Sequence, residues 1–335
     1  MSISIRAANL DSDRGSLIEA LNQWLAPQTE ARFDWLHRNG PHGRACAWVA
    51  TENGSGSILG AAGIFPRLMR SERGATTGYV LGDFFVVPHH RTLGLALQLQ
   101  RACLNFIETQ RAPWYDFPAP GMLSVYKRLG IQPNGELVRF AKPLRADRIV
   151  RQKIKNPILA KGVSAAANLA LASAANKVRA ASGCEIASFD GLCSEEFTNL
   201  LAEVKSGLAV DRSADYLNWR YRTHFANQFV FLAARRQGRL VGWLVYQRQG
   251  EDAEIVDLFS AEPKVREALV RATLRRMTQE NVFTVSFSLL GSHPWASELK
   301  EIGFRPRESC PAIFRGAAKT SKPDDWFLTQ GDRES

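Results

Sequence analysis

Six consecutive residues, Arg91-Thr92-Leu93-Gly94-Leu95-Ala96, join an apolar run to a long amphipathic segment. Their types suit anion binding. Gly94 and Ala96 keep side chains small where a helix begins, and the first N–H groups of a helix have no partner inside it. The dipole is positive at that end and Arg91 adds a fixed charge, so the turn can receive a phosphate or pyrophosphate. A plain strand-to-helix turn, whose glycine only permits close packing, would be spelled the same way. Just upstream, Asp83 interrupts the apolar run Val80 to Val87. A carboxylate in such a run is costly to bury unless it has a partner or a task. His89 and His90 follow Pro88. A histidine titrates near neutral pH, and this pair suits either an exposed turn or one that orients phosphate.

The elements that must position these residues are legible as patterns. Val80 to Val87 reads as a buried strand, and Leu95, Leu99, Ala102, Cys103 and Phe106 form a helical stripe after the turn. Before it come a strand over the alternating N-terminus, helices over Ser16–Leu25 and Glu30–Arg38, and strands over Ala45–Thr51, Ile58–Arg70 and Thr76–Val87. Asn39-Gly40-Pro41 stops the second helix, Glu52 to Gly56 is a hairpin turn, and an irregularity is expected at Pro66. After it come a helix, a short strand Trp114–Phe117, a short helix Gly121–Leu129 and a strand Gly135–Ala141.

Arg-x-x-Gly-x-Ala after a strand resembles the acetyl-CoA pyrophosphate loop of the GNAT superfamily of N-acetyltransferases, and the order of elements is similar to that of a GNAT domain. The resemblance implies that the fourth and fifth strands diverge and that the cofactor's pantetheine pairs with the backbone of Phe84, Phe85, Val86 and Val87. It implies pyrophosphate contacts from Arg91, Thr92, Leu93, Gly94, Leu95 and Ala96. It makes Asp83 the first candidate for the base beside the reacting amine, against a structural carboxylate bonded to backbone at an irregularity made by Gly82. Asp116 and Asp34 are weaker candidates. The run Leu123 to Gly130 resembles the family's Tyr-x-x-x-Gly segment. That implies a Tyr126 hydroxyl facing the sulfur of coenzyme A as the acid, against a half-buried aromatic on an amphipathic helix. Acceptor recognition would come from Phe33 to Arg38, Arg67 and the Trp114–Pro120 turn, with Trp219, Arg220 and Tyr221 covering the cleft from the second half.

With 335 residues, 45% hydrophobic and 23% charged, the chain suits two soluble domains. No apolar run reaches about eighteen residues, so no integral membrane span is expected. The N-terminus lacks the basic-then-apolar pattern of a secretory signal. Five cysteines without a Cys-x-x-Cys pair suit free thiols, a cytoplasmic setting and no metal. The net charge of +10 invites nucleic acid or an anionic membrane. The excess is concentrated, however. Lys142, Arg145, Arg148, Arg151, Lys153, Lys155, Lys161, Lys177 and Arg179 face only Asp147 in a segment whose second half is Ala-rich. A basic helical bridge between domains accounts for it, and a peripheral membrane contact is the alternative.

From Cys184 the plan of elements begins again, and Asp257 stands where Asp83 stood. The turn after it, Ser260-Ala261-Glu262-Pro263, has no glycine, and Glu262 opposes a phosphate. No tyrosine matches Tyr126 in the run Trp295 to Phe304. The expected architecture is mixed α/β (α+β): two tandem GNAT-like folds, each a mostly antiparallel twisted sheet flanked by helices, the second lacking the pyrophosphate loop. The expected boundaries are 1–144 for the catalytic unit, 145–183 for the linker, 184–318 for the second unit and 319–335 for a short ordered tail without chemical role. The resemblance implies an N-acetyltransferase moving acetyl from acetyl-CoA to a small-molecule amine, an amino sugar or sugar nucleotide, with homodimerisation compatible. Two rivals stand beside it. One is an aminoacyl-tRNA-dependent transferase similar to the FemAB type, for which tRNA would be the partner. The other is a non-catalytic acyl-CoA-binding module.

Overall fold

Runs rich in β-branched and aromatic residues become strands between turns. In the computed structural model, residues 3–25, 27, 29–52, 56–72, 74–91, 93–176, 183–202, 207–226, 228–316 and 326–333 are described. The first half runs β1 (Ile3–Ala7), α1 (Arg14–Trp24), α2 (Glu30–Phe33), β2 (Cys46–Glu52), β3 (Ile58–Ser71), β4 (Gly74–Val86), α3 (Leu93–Thr109), β5 (Trp114–Asp116), α4 (Leu123–Arg128) and β6 (Gly135–Pro143). The basic connector is helical, α5 (Asp147–Lys153) and α6 (Pro157–Asn176). The second half repeats the order as β7 (Glu185–Phe189), α7 (Glu195–Ala202), β8 (Ala209–Val210), α8 (Ala214–Leu217), β9 (Phe229–Arg236), β10 (Arg239–Gln249), β11 (Asp252–Phe259), α9 (Pro263–Gln279), β12 (Thr284–Leu290), α10 (Trp295–Ile302) and β13 (Arg305–Arg315).

Among the described residues the strands join in one sheet, ordered β1-β2-β3-β4-β5-β13-β6-β12-β11-β10-β9-β7, with β8 beside β3. Only β4–β5 and β11–β12 are parallel, so the sheet is mixed and mostly antiparallel, as expected. The two halves exchange their closing strands. β13 pairs with β5 of the first half, whereas β6 pairs with β12 of the second. Nothing in the sequence pattern announced this, because both strands read equally well as the last strand of their own half.

The expected helix over Glu30–Arg38 is instead a single α turn followed by a widened turn, Asp34–Arg38, closed by Asn39 N–H donating to Asp34 O at 2.8 Å. Thr29 caps the start, its hydroxyl accepting from Arg32 N. The second half repeats the device over Asn218–Arg222, closed by Thr223 N–H on Asn218 O. The two widened turns meet. Trp35 and Trp219 stack with ring centroids 4.6 Å apart. Each indole N–H donates to the other's backbone carbonyl, at 2.8 and 3.0 Å.

The irregularity expected at Pro66 is absent: β3 runs through it, opposite Tyr79. Tyr79 N–H points away from β3, to Pro113 O, so the Pro66 nitrogen faces the other edge. There β2 has already ended, its last pair being Cys46 with Ile64, so the missing N–H costs nothing.

The C-terminal segment is built into the core. Trp326, Leu328 and Asp332 are fully buried. Asp332 ion-pairs with the buried Arg212 at 2.6 Å and accepts from Thr329 N–H at 2.7 Å, while Asp257 holds Arg212 from the other side at 2.6 Å. Breaking a buried ion pair leaves an uncompensated charge. Asp332→Ala is expected to lower stability by about 3 kcal/mol in urea denaturation, and a loss below about 1 kcal/mol would mean the docked tail is energetically idle.

Candidate active site

β4 departs from β3 at one point. Ala61 pairs with Phe85 and Gly63 with Gly82, so Asp83 and Phe84 together oppose Ala62. Asp83 takes a left-handed φ of 46°. Aspartate tolerates this better than most residues. The irregularity therefore lies at Asp83 itself rather than at Gly82, and its carboxylate bonds to a side chain rather than to backbone. His37 Nε2 meets Asp83 Oδ2 at 2.8 Å, and Arg32 Nη2 stands 3.7 Å from Oδ1. His37 is held by stacking on Phe33, 4.3 Å between centroids, and by the edge of Phe65. Burial pushes the Asp83 carboxyl up, but the His37 bond and the nearby charges outweigh burial and hold it below the usual carboxylate range.

The opposite wall comes from β5 and α4. Tyr126 is fully buried and its hydroxyl donates to Asp116 Oδ2. Gln100 of α3 donates to the same phenol oxygen at 2.9 Å. Burial first, then the Asp116 charge, raises the phenol well above its usual pKa, so Tyr126 keeps its proton.

Between these walls β4 and β5 pair only at Tyr79–Trp114 and Val80–Tyr115, then separate. The gap opens into a cleft of about 460 Å³. It is lined by Leu81 to Phe84 on one side and Asp116 to Pro120 on the other, with Arg32, Gln100 and Met122. Cys310 of β13 and Arg333 of the tail complete it from the second half. Tyr126 is not on the wall itself, but its partners Gln100 and Asp116 are.

Past the cleft, Val87 N–H still holds Leu59 O, and Phe85, Val86 and Val87 are buried while Phe84 lines the opening. Pro88 to His90 form a single tight turn. Arg91 is exposed, with Nε donating to Val86 O at 3.2 Å. A Cβ added at Gly94 would meet nothing within 4 Å, so the first turn of α3 is open at that position. Leu95 packs inward and Ala96 is half-buried. Thr92 and the Leu93 side chain lie outside the described residues. Asp34 sits elsewhere, pulled to about 2 by its bond to Arg14. Trp219 and Arg220 lie against Trp35 at the seam between halves, Tyr221 packs inside the second half, and none of the three lines the cleft. Arg67 is buried beneath Trp219, its guanidinium 5.2 Å from the ring.

Sequence reading missed His37 and Arg32 as the partners of Asp83. They are five residues apart, which a regular helix would place about 140° apart on its surface. Only the widened turn lets both reach one carboxylate, and no periodicity signals such a turn. The second half has no equivalent opening. Glu262 is paired with Arg236 at 2.9 Å, and the Arg266 guanidinium donates to Ser260 O at 2.7 Å where the helix begins.

No protein-family model matches the chain, and no curated protein matches it by sequence. Solved structures match it by fold. A conserved protein from Enterococcus faecalis V583, described as a probable N-acyltransferase, superposes with a TM-score of 0.66 at 10% identity, covering 95% of this chain and 73% of that one. A GCN5-related N-acetyltransferase from Anabaena variabilis ATCC 29413 gives 0.65 at 12% identity, with 95% and 73% covered. Saccharomyces cerevisiae N-myristoyltransferase with bound myristoyl-CoA gives 0.59 at 9% identity, with 96% and 84% covered. The fold of this chain is that of the GCN5-related N-acetyltransferases.

Asp83 should report on acid stability. Its lowered folded pKa means the unfolded chain binds more protons as pH drops below the ordinary value of about 3.9, so stability rises with pH in that window. The contribution is present above that value and lost as pH falls through the folded pKa. Asp83→Asn keeps a residue that tolerates positive φ and should flatten the acid limb of stability, whereas Asp83→Val should cost about 2 kcal/mol more than Asn. Urea melts across pH check both, and an acid limb unchanged in Asp83→Asn would refute the assignment.

Proposed function

We propose that this chain is an acyl-CoA-dependent N-acyltransferase that moves an acetyl group from acetyl-CoA directly to the amine of a small molecule. The observation that carries this reading is the cleft where β4 leaves β5, with an ionised carboxylate on one wall and an Arg-x-x-Gly-x-Ala turn, open at Gly94, at the strand's end. The residues fit coenzyme A. The backbone of Phe84 to Val87 offers an edge for an extended arm, and Arg91 with the N–H groups at the start of α3, from Leu93 to Ala96, offers a place for phosphate. When bound, the thioester supplies the electrophile.

The chain's own groups do the rest. Asp83 attracts the ammonium form of the acceptor, which gives one proton to water before it attacks; Asp83 takes up the second as the amide forms and the C–S bond breaks, with His37 holding the carboxylate in place. Gln100 and Asp116 fix the buried phenol of Tyr126 behind the cleft wall; its one proton is donated to Asp116, and turning that O–H toward the cleft would set it against charge developing on the leaving sulfur. Because Asp116 opposes a phenolate, Tyr126 serves better as a held donor than as a group that gives its proton away. Arg32 and Arg333 with Phe84 and Phe117 on the cleft walls favour an acceptor carrying both a ring and an anion, such as a sugar nucleotide. Cys310 and Arg333 make the second half a contributor to acceptor binding.

Acetyl-CoA at about 100 times its Kd should stabilise the protein by about 2.7 kcal/mol, seen as a rise in melting temperature that Gly94→Glu abolishes. No shift at millimolar ligand, or a shift with tRNA alone, would overturn the reading; a shift without turnover on an amine panel would leave a binding module. Tyr126→Phe should lower kcat by about 10²-fold with acetyl-CoA binding nearly unchanged. An unaltered kcat would remove Tyr126 from the mechanism.

A further inference from the structure

Helix α6 is seated by one face only. Ala160 and Ser164 are buried, and Asn168 one turn further on reaches α5, accepting from Ala146 N–H at 2.7 Å and donating to Asp147 at 2.8 Å. These positions repeat every fourth residue and define the inner stripe. The opposite face is apolar and bare. Ile158 is 82% exposed, Leu159 61%, Leu169 71% and Val163 46%. Gly162, Ala165, Ala166 and Ala170 fill the surface between them. A helix on the outside of a globular protein normally reverses this pattern, and a contiguous apolar patch of this kind marks an interaction surface.

The surroundings select the partner. Arg151 and Lys153 on α5, Lys155 in the connector and Lys161 on α6 itself are exposed, and among the described residues none of the four has a carboxylate partner. The sequence holds no acid between Asp147 and Glu185. A second copy docking by the same face would bring one cationic rim against another, in either helix orientation, because an isologous contact is made of one surface twice. An anionic surface meets no such repulsion. No helix among the described residues is long and apolar enough to cross a membrane.

We infer that α6 is an interfacial helix that seats this protein on an anionic lipid bilayer, with Ile158, Leu159, Val163 and Leu169 entering the headgroup boundary and the four cations engaging lipid phosphates. The inference goes beyond the proposed reaction and does not rest on acetyl-CoA binding.

Flotation of the full chain with phosphatidylcholine vesicles, and with vesicles of about one-third phosphatidylglycerol, tests it. Binding to the anionic vesicles should exceed binding to the neutral ones by about tenfold and fall at about 0.5 M salt. Leu159→Glu with Leu169→Glu should lose it, and Lys153→Gln, Lys155→Gln and Lys161→Gln together should weaken it about tenfold. All these side chains are exposed, so melting temperature and the acetyl-CoA-induced shift should match wild type and separate this test from the catalytic one. Equal binding to neutral vesicles, or unchanged flotation of the Leu159→Glu, Leu169→Glu variant, would overturn the proposal. So would a dimer by light scattering that Leu169→Glu splits while wild type ignores vesicles, since that assigns the face to a second copy.

Discussion

β4 leaves β5 after Val80, and three residues on, at Asp83, its backbone turns left-handed. A left-handed residue costs an aspartate about 1 kcal/mol, which a charge-assisted hydrogen bond of about 1.5–3 kcal/mol can offset. The bond from His37 supplies that term. The extra residue also increases the local twist and re-aims the side chain. On the β5 side β4 is a strand edge inside the fold with no neighbour past Val80. An unpaired edge is normally a liability. Here it is walled on both sides by buried structure, which leaves a slot with unpaired backbone along one side.

The slot needs the end of the chain. β5 has three residues, Trp114–Asp116, and could not hold its place as an edge strand. β13 covers its free side, pairing Ile313 with Asp116 and Phe314 with Tyr115. Tyr115 in turn donates its hydroxyl to the carbonyl of Asp332 at 2.7 Å. The wall that carries Asp116, and with it the hydroxyl of Tyr126, is thus set by residues some two hundred positions later. The stacked and reciprocally bonded Trp35 and Trp219 do the same for the other wall. They lock the widened turn that carries His37. Neither wall is complete until both halves have folded against each other.

That dependence explains what could be read from the sequence. The order of strands and helices was legible because it rests on local periodicity, and the turn at Arg91 because it rests on residue types within six positions. Asp83 stood out as a carboxylate in an apolar run. The network behind it did not, since His37 reaches it across 46 positions through a turn with no sequence signature. The exchange of β6 and β13 was hidden for a different reason. Two closing strands of similar length and apolarity carry no label for their partners, and pairing is settled by which edge lies open when they arrive. The tail around Trp326 was underrated because an aromatic among polar residues says little until the cavity it fills is known.

The two halves place a carboxylate at the same point and hold it differently. Asp83 and Asp257 both lie where the central strand breaks register. Facing Asp83 is His37; facing Asp257, at the matching position of the matching turn, is Tyr221, whose hydroxyl donates to it at 2.9 Å. Asp257 is then closed in by Arg212 and by Gly331 of the tail, where a Cβ would come within 2.3 Å of the Tyr221 oxygen. Burial pushes the Asp257 carboxyl up, against the pull of Arg212, with the charge of Asp332 adding to the rise. Its bonds go to Tyr221 and Arg212, and it too lines a cavity, of about 290 Å³. Asp83, with His37 on one oxygen and Arg32 3.7 Å from the other, lines the cleft, and its pKa is held below the usual carboxylate range. The two carboxylates thus differ in what holds them: Asp257 is tied to Tyr221 and Arg212 and shares Arg212 with Asp332 of the chain end, whereas Asp83 is tied to His37 beside the gap between β4 and β5.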